Sequence, residues 1–575
     1  MKSKTIFSFL IISLVEGILA LFSLLGMTFT PGRGGTVNYA TLKWLLAGAS
    51  LLALVALAIL IIGMLLRPAW RARFSTLLDE RLLGSGRSLF FIQPALIILA
   101  VFLLECFFLT YLAFPEPVRP FFLWACLICL QLWLSFRLAY AGEYRRRPSL
   151  LAKLASKWAA WQPVQRKVFL VIAVLGLLYF LAFIPANLLR DEAGNFYVQG
   201  DEQVLYPDVT GGMVFPPTIS GMVHGVLEAW PWQYGYPYFT VSALVLLIPR
   251  LVFGEGFAAH IQLNLFLLRQ FVNVVPLVLA MVLVVYLATR FKNLPVSAGA
   301  FVFLAAVPGI VKFNQRFWHP DGLIVLLVVL AIYALQKDDL RFGRYFYLAA
   351  ACCGLAAILK LWGLFFGPVI AGYLIAGYIK KRLTLGKLFL SGLLFLLAML
   401  AAVILSSPTL MAPYIARVAL RGWLPRQGTL VAGYGPDTTG EYDTGLANWL
   451  KYFGFHFMKG YFFYFSIFAL VAGSLWGSRA ALNRILLGWC AVTALFLAYF
   501  VALKNFQYML PLALPLYCGA FLFPAVTEVP PTSKWRTFLG RPATRKTVGW
   551  ITLLMFASQF VINLIILGLY ALRGR

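Results

Sequence analysis

The chain has 575 residues, 62% of them hydrophobic and only 12% charged, with a mean hydropathy of +0.86 and a formal net charge of +28. A soluble domain of this length cannot hide so much apolar surface, because polar residues must cover its exterior. The positive charge sits in short loops between apolar runs, a membrane-topology signal and an attraction for anionic head groups rather than a nucleic-acid footprint.

Apolar runs of about 20 residues, the length that crosses a ~30 Å hydrocarbon core, recur throughout. They lie at 5–27, 44–66, 89–113, 120–142, 168–189, 268–290, 295–312, 320–336, 345–359, 361–379, 388–406, 459–477, 484–502, 507–523 and 549–571. Uninterrupted runs imply helices, since barrel strands alternate. The predicted fold is therefore all-α: a polytopic membrane protein with about 15 transmembrane helices. The first run is too long for the apolar core of a signal peptide and lacks a small-residue cleavage site, so it reads as a span. All seven cysteines fall inside apolar runs and read as small core residues.

Residues 1–165 form an accessory four-helix module whose intramembrane polar groups are few: Glu16, Glu105, Gln131 and Arg137. Its loops 67–88 and 143–167 are rich in arginine and lysine, which places them in the cytoplasm. A sixteenth apolar stretch, 238–253, decides the side of everything after it. If it does not span, the loops with Arg290/Lys292, Lys337/Arg341/Arg344, Lys380–Arg382/Lys387 and Lys534–Lys546 are all cytoplasmic; if it spans, all are outside. The positive-inside rule makes it an outer-face interfacial segment.

Two long loops, 190–267 and 407–458, then face outward from a core over 166–523, and 524–575 adds a basic cytoplasmic loop and a final helix. The four histidines and most carboxylates collect on the outer side, where convergent charges from several helices point to chemistry. Asp201-Glu202 follows the first core helix, and Asp191-Glu192 is a second acidic pair in the same loop. Asp321 is placed to cap the helix after it, or with His319 to bind a metal or orient a hydroxyl. Lys360, between two tightly connected spans, either snorkels to the interface or anchors a phosphate.

The order of these features resembles the C-type glycosyltransferase superfamily, in the branch of protein O-mannosyltransferases and lipid A aminoarabinose transferases. The likeness covers about 165–523 and rests on weak motifs in a shared order. Asp201-Glu202 with Tyr206 matches the acidic pair. Tyr234-Gly235-Tyr236-Pro237-Tyr238-Phe239 leading to Phe253-Gly254 and Arg269 matches the interfacial helix and the following arginine. Pro308 and Asp321, Gly354-Leu355-Ala356-Ala357-Ile358-Leu359-Lys360, and Tyr508-Met509-Leu510-Pro511 follow. Where the family has Lys or His with paired prolines, this chain has Tyr-Gly-Tyr-Pro.

The resemblance implies transfer of a hexose or pentose from a polyprenyl-phosphate donor to a lipid, glycan or protein acceptor, with inversion, on the outer face of a bacterial plasma membrane. It implies Asp201 as base, with Glu202 and Asp321 in the catalytic set. Lys360, Arg269, Arg316, His319 and Tyr206 would hold the donor phosphate, and Tyr434 and Tyr442 would contact the acceptor. The resemblance fixes no cofactor and leaves metal dependence open, with a divalent ion on Asp201, Asp321 and His319 as the candidate. A transporter or lipid flippase is the competing class, but no internal repeat is visible and the charges collect at the outer boundary.

Overall fold

The computed structural model describes residues 2–25, 39–78, 88–109, 119–139, 155–156, 158–188, 200–214, 234–315, 317–407, 410, 421, 444–528 and 539–572. Among these residues every regular element is a helix. The chain divides into two compact units: 1–160 with 218–228 and 408–418, and 161–217 with 229–407 and 419–575.

In the first unit, helices α1 (Lys2–Leu25), α2 (Tyr39–Leu66), α4 (Ser88–Leu109) and α5 (Arg119–Ala139) correspond to the four expected apolar runs. A further short helix, α3 (Pro68–Leu78), occupies part of the stretch read as a loop. Its Trp70 lies against Gly63 of α2, where an added Cβ would approach the indole to 2.7 Å. Helix α5 packs against both α1 and α4, and Gln131 of α5 donates to Glu16 Oε1 of α1 at 2.6 Å.

The second unit begins with α6 (Pro163–Leu188) and α7 (Gly200–Asp208). Helix α8 (Tyr236–Phe253) leads through a 3-10 turn to α9 (Ile261–Leu268), a π turn (Arg269–Val274) and α10 (Val275–Thr289). Next come α11 (Leu294–Ala305), α12 (Pro308–Asn314), α13 (Asp321–Asp338), α14 (Arg344–Lys360), α15 (Gly367–Ile379) and α16 (Leu385–Ser406). The last five are α17 (Leu446–His456), α18 (Gly460–Trp476), α19 (Ala480–Phe500), α20 (Leu510–Phe521) and α21 (Pro542–Leu572). Every residue of α20 from Leu510 to Ala520 is buried, whereas α16 buries only Phe395. A helix apolar all round yet uncovered is matched to lipid rather than water.

Among the described residues ten helices are long and apolar enough to cross a membrane, or twelve if each of two bent pairs is one span. This supports an all-α integral membrane protein, but a count of about fifteen is not reached among the described residues. Two expected spans return as helices that fall outside these counts: α13, with Asp321, Lys337 and Asp338 at its ends, and α14, 17 residues long. The span expected at 295–312 bends by 63° between α11 and α12, where Pro308 begins a new helix. Helices α17 and α18 meet at 102°. All seven cysteines are buried and free, as expected.

Side-chain bonds define the two ends of this unit. At one end, Gln165 donates to Arg290 O at 3.0 Å, Arg479 to Leu287 O, and Arg545 to Thr527 O. Buried Asp338 there accepts from Phe342 N and Gly343 N, and from the Tyr373 hydroxyl. These bonds hold tight turns in which Arg290, Phe291, Asp339, Leu340 and Phe342 take positive φ. The basic residues of the short loops gather at this end. At the other end lie Asn187, Glu202, Arg269, Trp318, Asp321 and Lys360.

Helix α8 is long enough to span, by length and composition. Both its ends, however, are tied to the second, non-basic end. Gly235, at φ +68, sits so close to α14 that a Cβ would come 2.2 Å from Ile358 O. Past its C-terminus, Ala258 O accepts from Tyr206, and Gln262 donates to Leu188 O at the end of α6.

Candidate functional site

Two polar centres lie side by side at this end, joined by the segment 317–320. The first is built on the π turn. An α-helix that widens to accommodate an extra residue frequently does so at a functional site, and here the turn turns Arg269, Gln270 and Asn273 into the interior. Arg269 is 0% exposed. Its Nε donates to Glu202 Oε1 at 2.8 Å, its second arm to Oε2, and its third nitrogen to Asn187 O at 3.2 Å. Glu202 Oε1 also accepts from Trp318 N at 3.0 Å. The planar guanidinium matches a carboxylate fork, so both charges are satisfied without water.

Trp318 carries that order onward. Its indole donates to Ser242 Oγ at 3.1 Å, its carbonyl accepts from Tyr238, and its ring stacks on the Tyr238 ring. Tyr206 ties α7 to the end of α8: its hydroxyl donates to Ala258 O and accepts from Asn264, both at 2.7 Å.

The second centre is His319, Asp321 and Lys360. Asp321 Oδ2 lies 2.7 Å from His319 Nδ1 and 2.9 Å from Lys360 Nζ, and Lys360 Nζ is 3.4 Å from His319 Nε2. The capping role expected of Asp321 is not taken: Pro320 holds the cap position without a side-chain bond, and the carboxylate turns to the cation instead. Asp321 Oδ1 is buried with no hydrogen-bond partner among the described residues. Lys360 ends α14 because Leu361 takes a left-handed φ of 53° and a 3-10 turn follows. Its ammonium lies over the rings of Tyr508 (4.8 Å) and Tyr234 (5.5 Å). Unlike Arg269, its side chain is open, at 15% exposure.

Of the residues singled out in the sequence, Glu202, Arg269, His319, Asp321, Lys360 and Tyr206 thus meet at one end. Their roles differ from the expectation. Arg269 is spent on Glu202 and Asn187, so it is not a free phosphate anchor, and Glu202 has no oxygen left to help a base. The Tyr206 hydroxyl is likewise used by the protein on both sides. Asp201 lies in α7, but its side chain is outside those described, as are Arg316, Tyr434, Tyr442, Asp191 and Glu192. Among the described residues no three His, Cys, Asp or Glu side chains are arranged to hold a metal ion. His319 and Lys360 share Asp321 Oδ2, and Oδ1 is without a hydrogen-bond partner among the described residues.

Trp318, Ser242, Tyr238, Asn187, Asn264 and Tyr234 were not singled out as site residues. The signal available was a polar residue inside an apolar run, as at Asn187, Ser242 and Asn264, which the membrane makes costly unless it is partnered. Comparison with protein-family models, with curated proteins and with solved structures gives no match.

Proposed function

We propose that this chain is a membrane glycosyltransferase that moves a sugar from a polyprenyl-phosphate donor to a lipid, glycan or protein acceptor on the outer face, with inversion. The observation that carries this reading is the half-open Lys360–Asp321–His319 centre, braced against the helix bearing Asp201. It lies at the end of the unit away from the basic loops, which the positive-inside rule assigns to the cytoplasm. The two tethered ends of α8 support an interfacial course for that helix.

The chemistry has definite needs. The acceptor oxygen attacks the anomeric carbon from the face opposite the phosphate, its proton passes to Asp201, and the bonding pair leaves with the phosphate. Negative charge grows on that phosphate, and Lys360 is the accessible cation to meet it. Asp321 and His319 hold the ammonium in place, and Tyr234 and Tyr508 wall it with aromatic faces. Glu202 and Arg269 position α7 and the 317–320 segment. No step is routed through a metal ion.

A transporter would also use bent helices, and two bent pairs occur here. Against it, the polar groups collect at one end rather than at the midplane. The test is transfer itself: full-length protein in nanodiscs, given a panel of polyprenyl-phosphate sugars together with lipid, glycan and peptide hydroxyl acceptors, should release polyprenyl phosphate and glycosylate an acceptor. Asp201→Asn should abolish that release while the protein stays folded; retained activity would remove Asp201 as base.

A further inference from the structure

The final helix, α21, lies outside the region of family resemblance, and the proposed reaction gives it no part. Its Tyr570 nevertheless meets residues from two distant elements, α12 and α17. Lys312, in the last turn of α12, holds its ammonium 5.1 Å from the Phe506 ring centre and 5.9 Å from that of Tyr570. Tyr570 Oη lies 3.3 Å from Nδ1 of the buried His456 at the end of α17. The His456 ring in turn lies 5.7 Å from Phe506.

The charge at this point is unanswered. Glu202 neutralises Arg269, and Asp321 neutralises Lys360, but among the described residues Lys312 forms no ion pair. Its side chain is exposed. The ammonium offers donors, and the phenol–imidazole pair one more beyond the proton shared between them, the complement of an anionic oxygen. Exposed Phe455 lies 5.8 Å from Tyr570, and the outer face of α21, turned away from buried Asn563 and Ile566, exposes Val561, Ile565 and Leu569. An exposed cation beside exposed apolar side chains suits an amphiphile better than a free ion.

We propose that Lys312, Tyr570 and His456 seat the phosphate of an anionic phospholipid, whose acyl chains run along α21. The lipid neutralises Lys312 and pins the last helix to α12 and α17. This does not depend on the glycosyltransferase reading.

Native mass spectrometry of the full chain, from vesicles of mixed phosphatidylglycerol and phosphatidylcholine, tests it. The wild type should retain phosphatidylglycerol preferentially. Lys312→Gln should cut the preference about fivefold, the size expected for one lysine at a charged surface. Lys312→Arg should keep it, Tyr570→Phe should weaken it, and Lys387→Gln, in the first turn of α16 at the other end, should not change it. An undiminished preference in Lys312→Gln would overturn the seat. So would displacement of the lipid by inorganic phosphate alone, which would make the site a phosphate pocket.

Discussion

Two ion pairs stand side by side at one end of the second unit, and they are built in opposite ways. Glu202–Arg269 is sealed: neither side chain is exposed, and every charged atom has a protein partner. Asp321–Lys360 is half open, with one carboxylate oxygen unpartnered and the ammonium reachable. A sealed pair cannot touch substrate without being broken, so it serves position. An open pair can exchange its partner for a phosphate. The two conserve their charges for different tasks, and substitutions should separate those tasks.

The largest effect should come from the sealed pair. Arg269→Ala leaves Glu202 as an uncompensated buried charge, which costs about 3–5 kcal/mol. Yield and thermal stability should fall sharply, and replacing both partners with apolar residues should restore much of the stability. A well-folded Arg269→Ala protein with weakened donor binding alone would instead return Arg269 to the phosphate. Lys360→Ala leaves buried Asp321 with His319 as its remaining partner, so stability should fall, but by less than in Arg269→Ala, while transfer slows by about 10²–10³-fold, as when an electrostatic donor is removed from a developing anion. Unaltered donor affinity in that variant would break the comparison.

Between these in directness is the sidedness both pairs share. The native cysteines are all buried, so single cysteines report cleanly. Labels at 255 and 292 should report outside and inside; an outside label at 292 would place the site in the cytoplasm. Trp318→Phe removes one neutral hydrogen bond to Ser242 and should cost about 0.5–1.5 kcal/mol, seen as a small drop in melting temperature.

The smallest effect concerns Asp208 at the end of α7, whose carboxyl is pushed up to about 6 by burial. Its charged form is penalised in the folded state. The local stability of α7 is therefore highest at low pH and declines as pH rises from the ordinary value of 3.8 through about 6. Hydrogen exchange across 200–208 should show that decline, and Asp208→Asn should flatten it.

Much of the fold was legible because a bilayer dictates the length of what crosses it, and runs such as 388–406 return as helices almost to the residue. The bends were not legible. Pro308 marks a break, but whether the next turn continues or swings by 63° depends on what Phe457 and α21 present to it. For the site, sidedness brought His319, Asp321 and Lys360 to one end before any coordinates. It could not say that Arg269 belongs to Glu202, since charge counting gives the side of a residue and not its partner. Tyr206 shows the same limit: its place beside the acidic pair was visible, but its bonds to Ala258 and Asn264 arise only when α7 meets α9.

The most direct measurement is a structure of the full chain with bound polyprenyl phosphate. The account predicts the phosphate within hydrogen-bond distance of Lys360 Nζ, with Glu202 and Arg269 still paired beneath it. A phosphate lodged elsewhere, with Lys360 unmoved on Asp321, would contradict it.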